Sequence, residues 1–541
     1  MAEDPIIPIC KRPSWIGGSA LALIAAPIFG LTGAPAVAAE RPGPQPLAAY
    51  LSARVAAAEG RSATAAGDYA VALTGWPDDP AVAVRAYREA MISGDTALAL
   101  RAARVMEAEK VAPIDVALLD LAMAARKNDR AAYDAALLRI DGDALRILSP
   151  VLRAWGAWDR RQPVEPGLDS AGKEPVARRL ADENGILLAI ASRKMADQSA
   201  RVLLETMRAP ADTRIAAAEL MAGQGDEANA RGLLSDPLVA SDRKRLGRKP
   251  DLGFGVSRLL ARVGAELVGE GPRPLVIALA RTALIADPGN DRARLLMAEA
   301  LVKDEAWDAA IAALAGVDPQ RAFAHRAAVV RIGLLAEAGR SGEALMLANG
   351  LATAKTAGLE DWQVYADQLI AAKRPADAAP WYERVTRADP PLPWAAWLQY
   401  GGALDQAGRR DEADAALARA VALGPDEPLA LNYLGYSRIE RGQDVPGSLA
   451  LLERASKLAP DDASITDSLG WGYFKAGQIK RALPLVEQAA IAEPANSEIA
   501  DHLGDIYWTL GRRFEARYAW RAAALTADEA EQAALAVKLA R

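Results

Sequence analysis

LNYLGYSRIERGQDVPGSLALLERASKLAP (431–460), ITDSLGWGYFKAGQIKRALPLVEQAAIAEP (465–494) and IADHLGDIYWTLGRRFEARYAWRAAAL (499–525) decide the fold. Each opens on Leu-Gly and an aromatic residue, then carries a second glycine and an alanine; the first two end on proline. The closing prolines Pro390, Pro425, Pro460 and Pro494 lie 35, 35 and 34 residues apart. Two helices fit each period, and a unit of that size cannot bury its apolar face alone; stacking its neighbours does so. The reading is all-α: a right-handed superhelical α-solenoid of helix pairs. Such an array is a binding scaffold rather than a reaction centre.

The offsets have physical reasons. Gly470 and Gly504 fall where the two helices of a unit approach closely, with Ala482, Ala489, Ala516 and Ala523 opposite. Gly477 and Gly511 end the first helix, where a left-handed backbone costs glycine little. Pro460 and Pro494 stand where the second helix stops. Tyr473, Tyr507 and Trp520 are expected to fill gaps between units.

Bulk properties agree. The chain has 541 residues, too many for one compact core. Hydrophobic residues make up 51% and charged residues 25%, which is globular composition. Ala and Leu dominate and Phe appears 5 times, which favours closely packed helices. A formal net charge of -6 gives no footprint for nucleic acid. The one basic run, Arg243, Lys244, Arg245, Arg248 and Lys249, reads as a solvated loop, with a phosphate or anionic-lipid patch as the sharper alternative. The single cysteine, Cys10, excludes an internal disulfide.

The first 38 residues have the layout of a signal peptide. Lys11 and Arg12 precede an uncharged stretch of 25 residues, Trp15 to Ala39, and Ala36-Val37-Ala38 offers small residues at a cleavage spacing. An uncleaved anchor is the rival. Both readings export the repeats to the periplasm or cell envelope. Cys10 precedes the apolar stretch, the wrong side for a lipid-modified cysteine.

Weaker repeats fill much of the remainder. Degenerate units span 39–158; in one of them Asn128 replaces the turn glycine. A divergent helical segment with loops spans 159–252, with Pro and Gly clustered from Asp159 to Pro175. The array resumes over 253–528, clearest from 360. Residues 529–541 read as a capping helix.

Enzyme signatures are missing. There is no Walker-type phosphate loop, no Cys/His metal spacing and no Gly-x-Ser-x-Gly elbow. The two histidines, His325 and His502, lie far apart in sequence, and His502 points about 100° from its neighbour Asp501 on a helix. We read the chain as no enzyme, with no cofactor, no metal and no catalytic residue. The best enzymatic alternative is a hydrolase whose buried carboxylates lie within 150–250.

The repeat pattern resembles the tetratricopeptide repeat (TPR), strongly over 360–528 and more weakly over 45–140 and 253–355. NYLGY, DSLGWGY and DHLGDIYW resemble the endings of exported proteobacterial TPR proteins, among them lipoproteins that present substrates to a processing protease. The resemblance implies an adaptor whose partner is a protein, an envelope protease or an assembly complex. It also implies that first helices line a concave face. Asn432 and Tyr436, then Asp467, Trp471, Phe474 and Lys475, then Asp501, Asp505 and Trp508 fall there. Short polar groups could hold an extended backbone while the aromatics anchor it. Capping and packing are the plain alternative roles. A self-associating envelope component, with an apolar patch at one end or on the tail helix from Asp528, is the other binding reading.

Overall fold

The computed structural model describes residues 46–541, other than 143, 195–201, 203–205, 207, 235–245, 304 and 389–392. The expected leader, Pro390 and Arg243 to Arg245 therefore lie outside the described residues. Those residues contain 28 α-helices and no strand. Two compact units divide them, parting between Arg340 and Ser341, inside the expected 253–528 array.

The N-terminal unit begins with α1 (Pro46–Ala58), α2 (Ser62–Gly75), α3 (Pro80–Ser93), α4 (Thr96–Ala108), α5 (Asp115–Lys127) and α6 (Arg130–Asp141). It continues through α7 (Ser149–Asp159), α8 (Glu165–Asp169), α9 (Pro175–Ala191), α10 (Ala211–Gly223) and α11 (Glu227–Gly232). It closes with α12 (Leu252–Leu267), α13 (Arg273–Ala286), α14 (Asp291–Val302), α15 (Trp307–Leu314) and α16 (Ala324–Glu337). Asn128 occupies the left-handed turn after α5, with φ 55°. The loop expected from Asp159 to Pro175 contains the short α8.

This unit curls back on itself. Helices α12 and α13 pack on α3, α5 and α7. Fully buried Trp155 of α7 lies 6.3 Å, centroid to centroid, from Phe254 of α12. Arg281 of α13 donates to the carbonyls of Met91 and Ile92 at the end of α3, at 2.7 and 2.6 Å. Those contacts explain why residues 253–340 join the N-terminal unit rather than the later repeats.

The C-terminal unit holds α17 (Ser341–Ala352), then the pairs α18 (Leu359–Ala371) with α19 (Pro375–Thr386) and α20 (Trp394–Gln406) with α21 (Arg410–Leu423). Next come α22 (Pro428–Glu440) with α23 (Val445–Leu458) and α24 (Ala463–Lys475) with α25 (Ile479–Ala492). The last pair, α26 (Ser497–Thr509) with α27 (Arg513–Thr526), is followed by α28 (Glu529–Leu539). First helices start at 359, 394, 428, 463 and 497, a spacing of 34 or 35 residues throughout.

One contact repeats with that period. A Cβ on Gly401, Gly435 or Gly470 would lie 2.7, 2.9 or 2.6 Å from Leu417, Leu452 or Val486, and one on Gly504 would collide with Trp520. The second helix thus presses on the first at a point where only hydrogen fits. Gly477 and Gly511 both take φ +76° at the turn.

Units are tied by a second repeated device. Tyr473 donates to Glu453 and Tyr507 to Glu487, both at 2.6 Å, reaching back to the previous unit's second helix. Arg481 and Arg512 lie over the two rings at 3.8 and 4.2 Å. Trp520 behaves differently from the expectation. It packs inside its own unit against Gly504, as Leu417, Leu452 and Val486 pack against the equivalent glycines of theirs, and it is covered by α28 through Leu535.

Candidate partner-binding face

The inner side of the C-terminal unit is defined by contacts that skip a repeat. Tyr436 of α22 donates to Glu498 of α26 at 2.7 Å, passing over α24. Helices two units apart can touch only where the stack curves inward. Lys373, between α18 and α19, likewise pairs with Asp528, before α28, at 2.9 Å.

A column of side chains fills this inner side. His502 Nδ1 lies 2.8 Å from Asp467 Oδ2, and its ring stacks on Trp471 at 3.9 Å and 10°. Trp471 donates to Glu440 at 2.5 Å and stacks on Phe474 at 4.9 Å. Lys475 sits 5.5 Å above Trp471 and 3.3 Å from Glu440. Burial disfavours the imidazolium of His502, but Asp467 outweighs it, with help from Glu498 and Asp501, so the pKa rises. Burial and the Glu498 carboxylate push the Tyr436 hydroxyl far up.

The expected residues therefore divide. Trp471 and Asp467 are 7% and 3% exposed, so Trp471 is no open anchor; the ring of His502 covers it. Tyr436, Phe474 and Asn432 are half-buried, and Lys475 is exposed. Asp501 and Asp505 do not face an empty groove, because Lys538 of α28 reaches them at 2.6 and 2.9 Å. Trp508 is half-buried between Trp520, at 5.3 Å, and Arg513, at 3.5 Å over its ring.

Two acceptors at equivalent repeat positions remain unsatisfied. Asn432 Oδ1 and Asp467 Oδ1 are buried and accept no hydrogen bond from the described residues. A donor from outside the chain, from water or from a peptide N–H, would meet both requirements.

Glu440, Glu498, His502 and Lys538 also belong to this face, and the sequence reading did not assign them to it. Asp467 stands three residues before its Leu-Gly glycine, and His502 two before its own. Neighbouring register positions on successive first helices meet, so laying the repeats side by side would have found that pair. Testing His502 only against adjacent Asp501 could not.

The carboxylates of the hydrolase alternative are committed elsewhere. Arg262 binds Glu183 at 3.0 Å, Arg258 binds Glu219 at 2.6 Å and Asp287 at 3.2 Å, and Arg292 binds Asp212 at 3.1 Å. Their cavity holds about 30 Å³, room for about one water. These groups cross-link α9, α10, α12, α13 and α14. Arg248, from the basic run, pairs with Asp287. Among the described residues no cluster of His, Cys, Asp and Glu is placed to hold a metal ion. No helix among them is long and apolar enough to cross a membrane.

The architecture is thus an α-solenoid of paired helices with a furnished inner face. A family profile described as "Tetratricopeptide repeat" matches residues 394–437, the α20–α21 pair and most of α22. A TPR repeat-containing protein of Pseudomonas aeruginosa is 39% identical over 62 residues, 12% of this chain and 10% of that protein. The chain thus spans about a tenth of the curated relative it matches. Among solved structures, a thermophilic TPR protein of Thermus thermophilus aligns with 34% of this chain and 100% of its own, at 21% identity and TM-score 0.31. A tetratricopeptide repeat protein of Parabacteroides merdae aligns with 46% of this chain and 96% of its own, at 14% identity and TM-score 0.40. The structural likenesses are too loose to carry the assignment; the profile match, the sequence relative and the repeated glycine contacts carry it. The chain thus carries tetratricopeptide repeats in its C-terminal unit. Its fold is that of a protein-interaction scaffold.

Proposed function

We propose that the chain is a non-enzymatic adaptor that captures an extended segment or helix of a partner protein on the inner face of its C-terminal unit. The observation that carries the reading is the pair Asn432 and Asp467. The Oδ1 atoms of both are buried at the same repeat position, and no donor among the described residues reaches either. Tyr436, Phe474 and Lys475 border them and supply half-buried contact area and charge. Placement in the cell envelope, with an envelope protease or assembly complex as partner, rests on the leader-like layout of residues 1–38 and on the resemblance of the last repeats.

Affinity capture from envelope extract tests this, with the full chain as bait and Asn432→Leu combined with Lys475→Glu as the control. Trp471 is left intact because it is buried and its loss would perturb the fold. The adaptor reading expects a protein retained by the native bait and lost from a variant with native circular dichroism. Equal retention by both baits would remove the inner face from the account.

A further inference from the structure

The outer face of α27 differs from that of every earlier second helix in the C-terminal array from α20 onward. Phe514, Tyr518 and Leu525 are 80%, 71% and 84% exposed and lie four and seven residues apart, along one side of the helix. Trp520 and its counterparts Leu417, Leu452 and Val486, all set against a first-helix glycine, fix the register between repeats. In that register Phe514 replaces Asp411, Pro446 and Lys480; Tyr518 replaces Ala415, Ala450 and Pro484; Leu525 replaces Ala422, Lys457 and Ile491. Repeat packing therefore does not require these side chains. Nor is their exposure an effect of the array ending, because Lys480, Pro484 and Ile491 are exposed with the next unit in place.

Arginines flank the stripe. Arg517 and Arg521 are exposed on the same helix, and no carboxylate among the described residues pairs with either. The face thus combines bare cations with Phe, Tyr and Leu on a chain whose formal net charge is -6. A second copy docked through the same face would bring two sets of arginines together with no carboxylate on the stripe to offset them, so like charge disfavours that occupant. A helix face with protruding aromatic and aliphatic groups among arginines matches the interfacial zone of an anionic bilayer. There, apolar tips enter the acyl boundary and guanidiniums meet lipid phosphates.

We propose that the outer face of α27 docks on an anionic lipid surface through Phe514, Tyr518 and Leu525, held by Arg517 and Arg521. The contact is separate from the inner face and from the leader. It would leave the partner-binding side turned away from the membrane.

Cys10 is the only cysteine, so the full chain with Cys10→Ser accepts one reporter. An environment-sensitive fluorophore is placed at Leu525→Cys, or at Ala450→Cys on the equivalent face two repeats earlier. Vesicles are phosphatidylcholine alone or with about one-third phosphatidylglycerol. The leader is present in every protein and cancels from the comparison. Expected are a blue shift at position 525 on anionic vesicles only, none at 450, and at least about tenfold weaker binding after Arg517→Glu with Arg521→Glu. No shift, an equal shift at both positions, or an equal shift on neutral vesicles would overturn the proposal. A shift that follows protein concentration without lipid would also overturn it and restore self-association. An acidic protein as the true occupant would leave the label unmoved on both vesicles, which counts against the proposal equally.

Discussion

His502 shows how one residue can couple repeats. It joins α26 to α24 through Asp467 and Trp471, and it stands beside the Tyr436–Glu498 bond that reaches α22. The charged groups around it are Asp467, Glu498 and Asp501. Its folded pKa is raised, so its contribution is complete below the unfolded value of about 6.5 and is lost as pH climbs through the folded value. Chemical denaturation of the full chain followed by tryptophan fluorescence should therefore show stability falling as pH rises through that window. His502→Gln should flatten that part of the profile. A wild-type profile that stays level there would mean that the imidazole is not charged in the fold. The sequence displayed this histidine but not its partner, because the partner lies 35 residues back and only the register of the repeats brings the two together.

At the scale of elements, the strong repeats were legible because each offset has a steric cause. Gly470 and Gly504 mark close helix approaches, and Val486 and Trp520 press on them there. Asn128 stands where the repeat has its turn glycine, and its backbone is left-handed. Gly504→Ala should cost about 1–3 kcal/mol, because Trp520 must shift to admit the methyl group. Gly342→Ala, on a helix with open space around it, should be neutral or slightly stabilising. Urea denaturation of both variants checks this, and equal midpoints would refute the close-approach account. The divergent stretch was illegible for a different reason. Its order comes from ion pairs such as Arg262–Glu183, 79 residues apart, and Arg292–Asp212, 80 apart, which follow no repeat register. Periodicity carries no information about such pairs.

At the scale of the whole molecule, the composition and the period gave the fold class, while the division at Arg340 did not show in the sequence. It arises because α12 and α13 pack back on α3, α5 and α7, and a one-dimensional repeat pattern does not encode such a return. Within the C-terminal unit the inner and outer sides carry different chemistry. Buried unsatisfied acceptors and half-buried aromatics line the inner side, and arginines with bare apolar groups mark the last outer helix. A photo-cross-linking amino acid at Lys475 on the inner side, compared with one at Arg419 on the outer side of α21, tests the adaptor account most directly. The account predicts one protein adduct in envelope extract at position 475, absent at 419 and lost with Asn432→Leu. Adducts of the same protein at both positions, or at 419 alone, would contradict it.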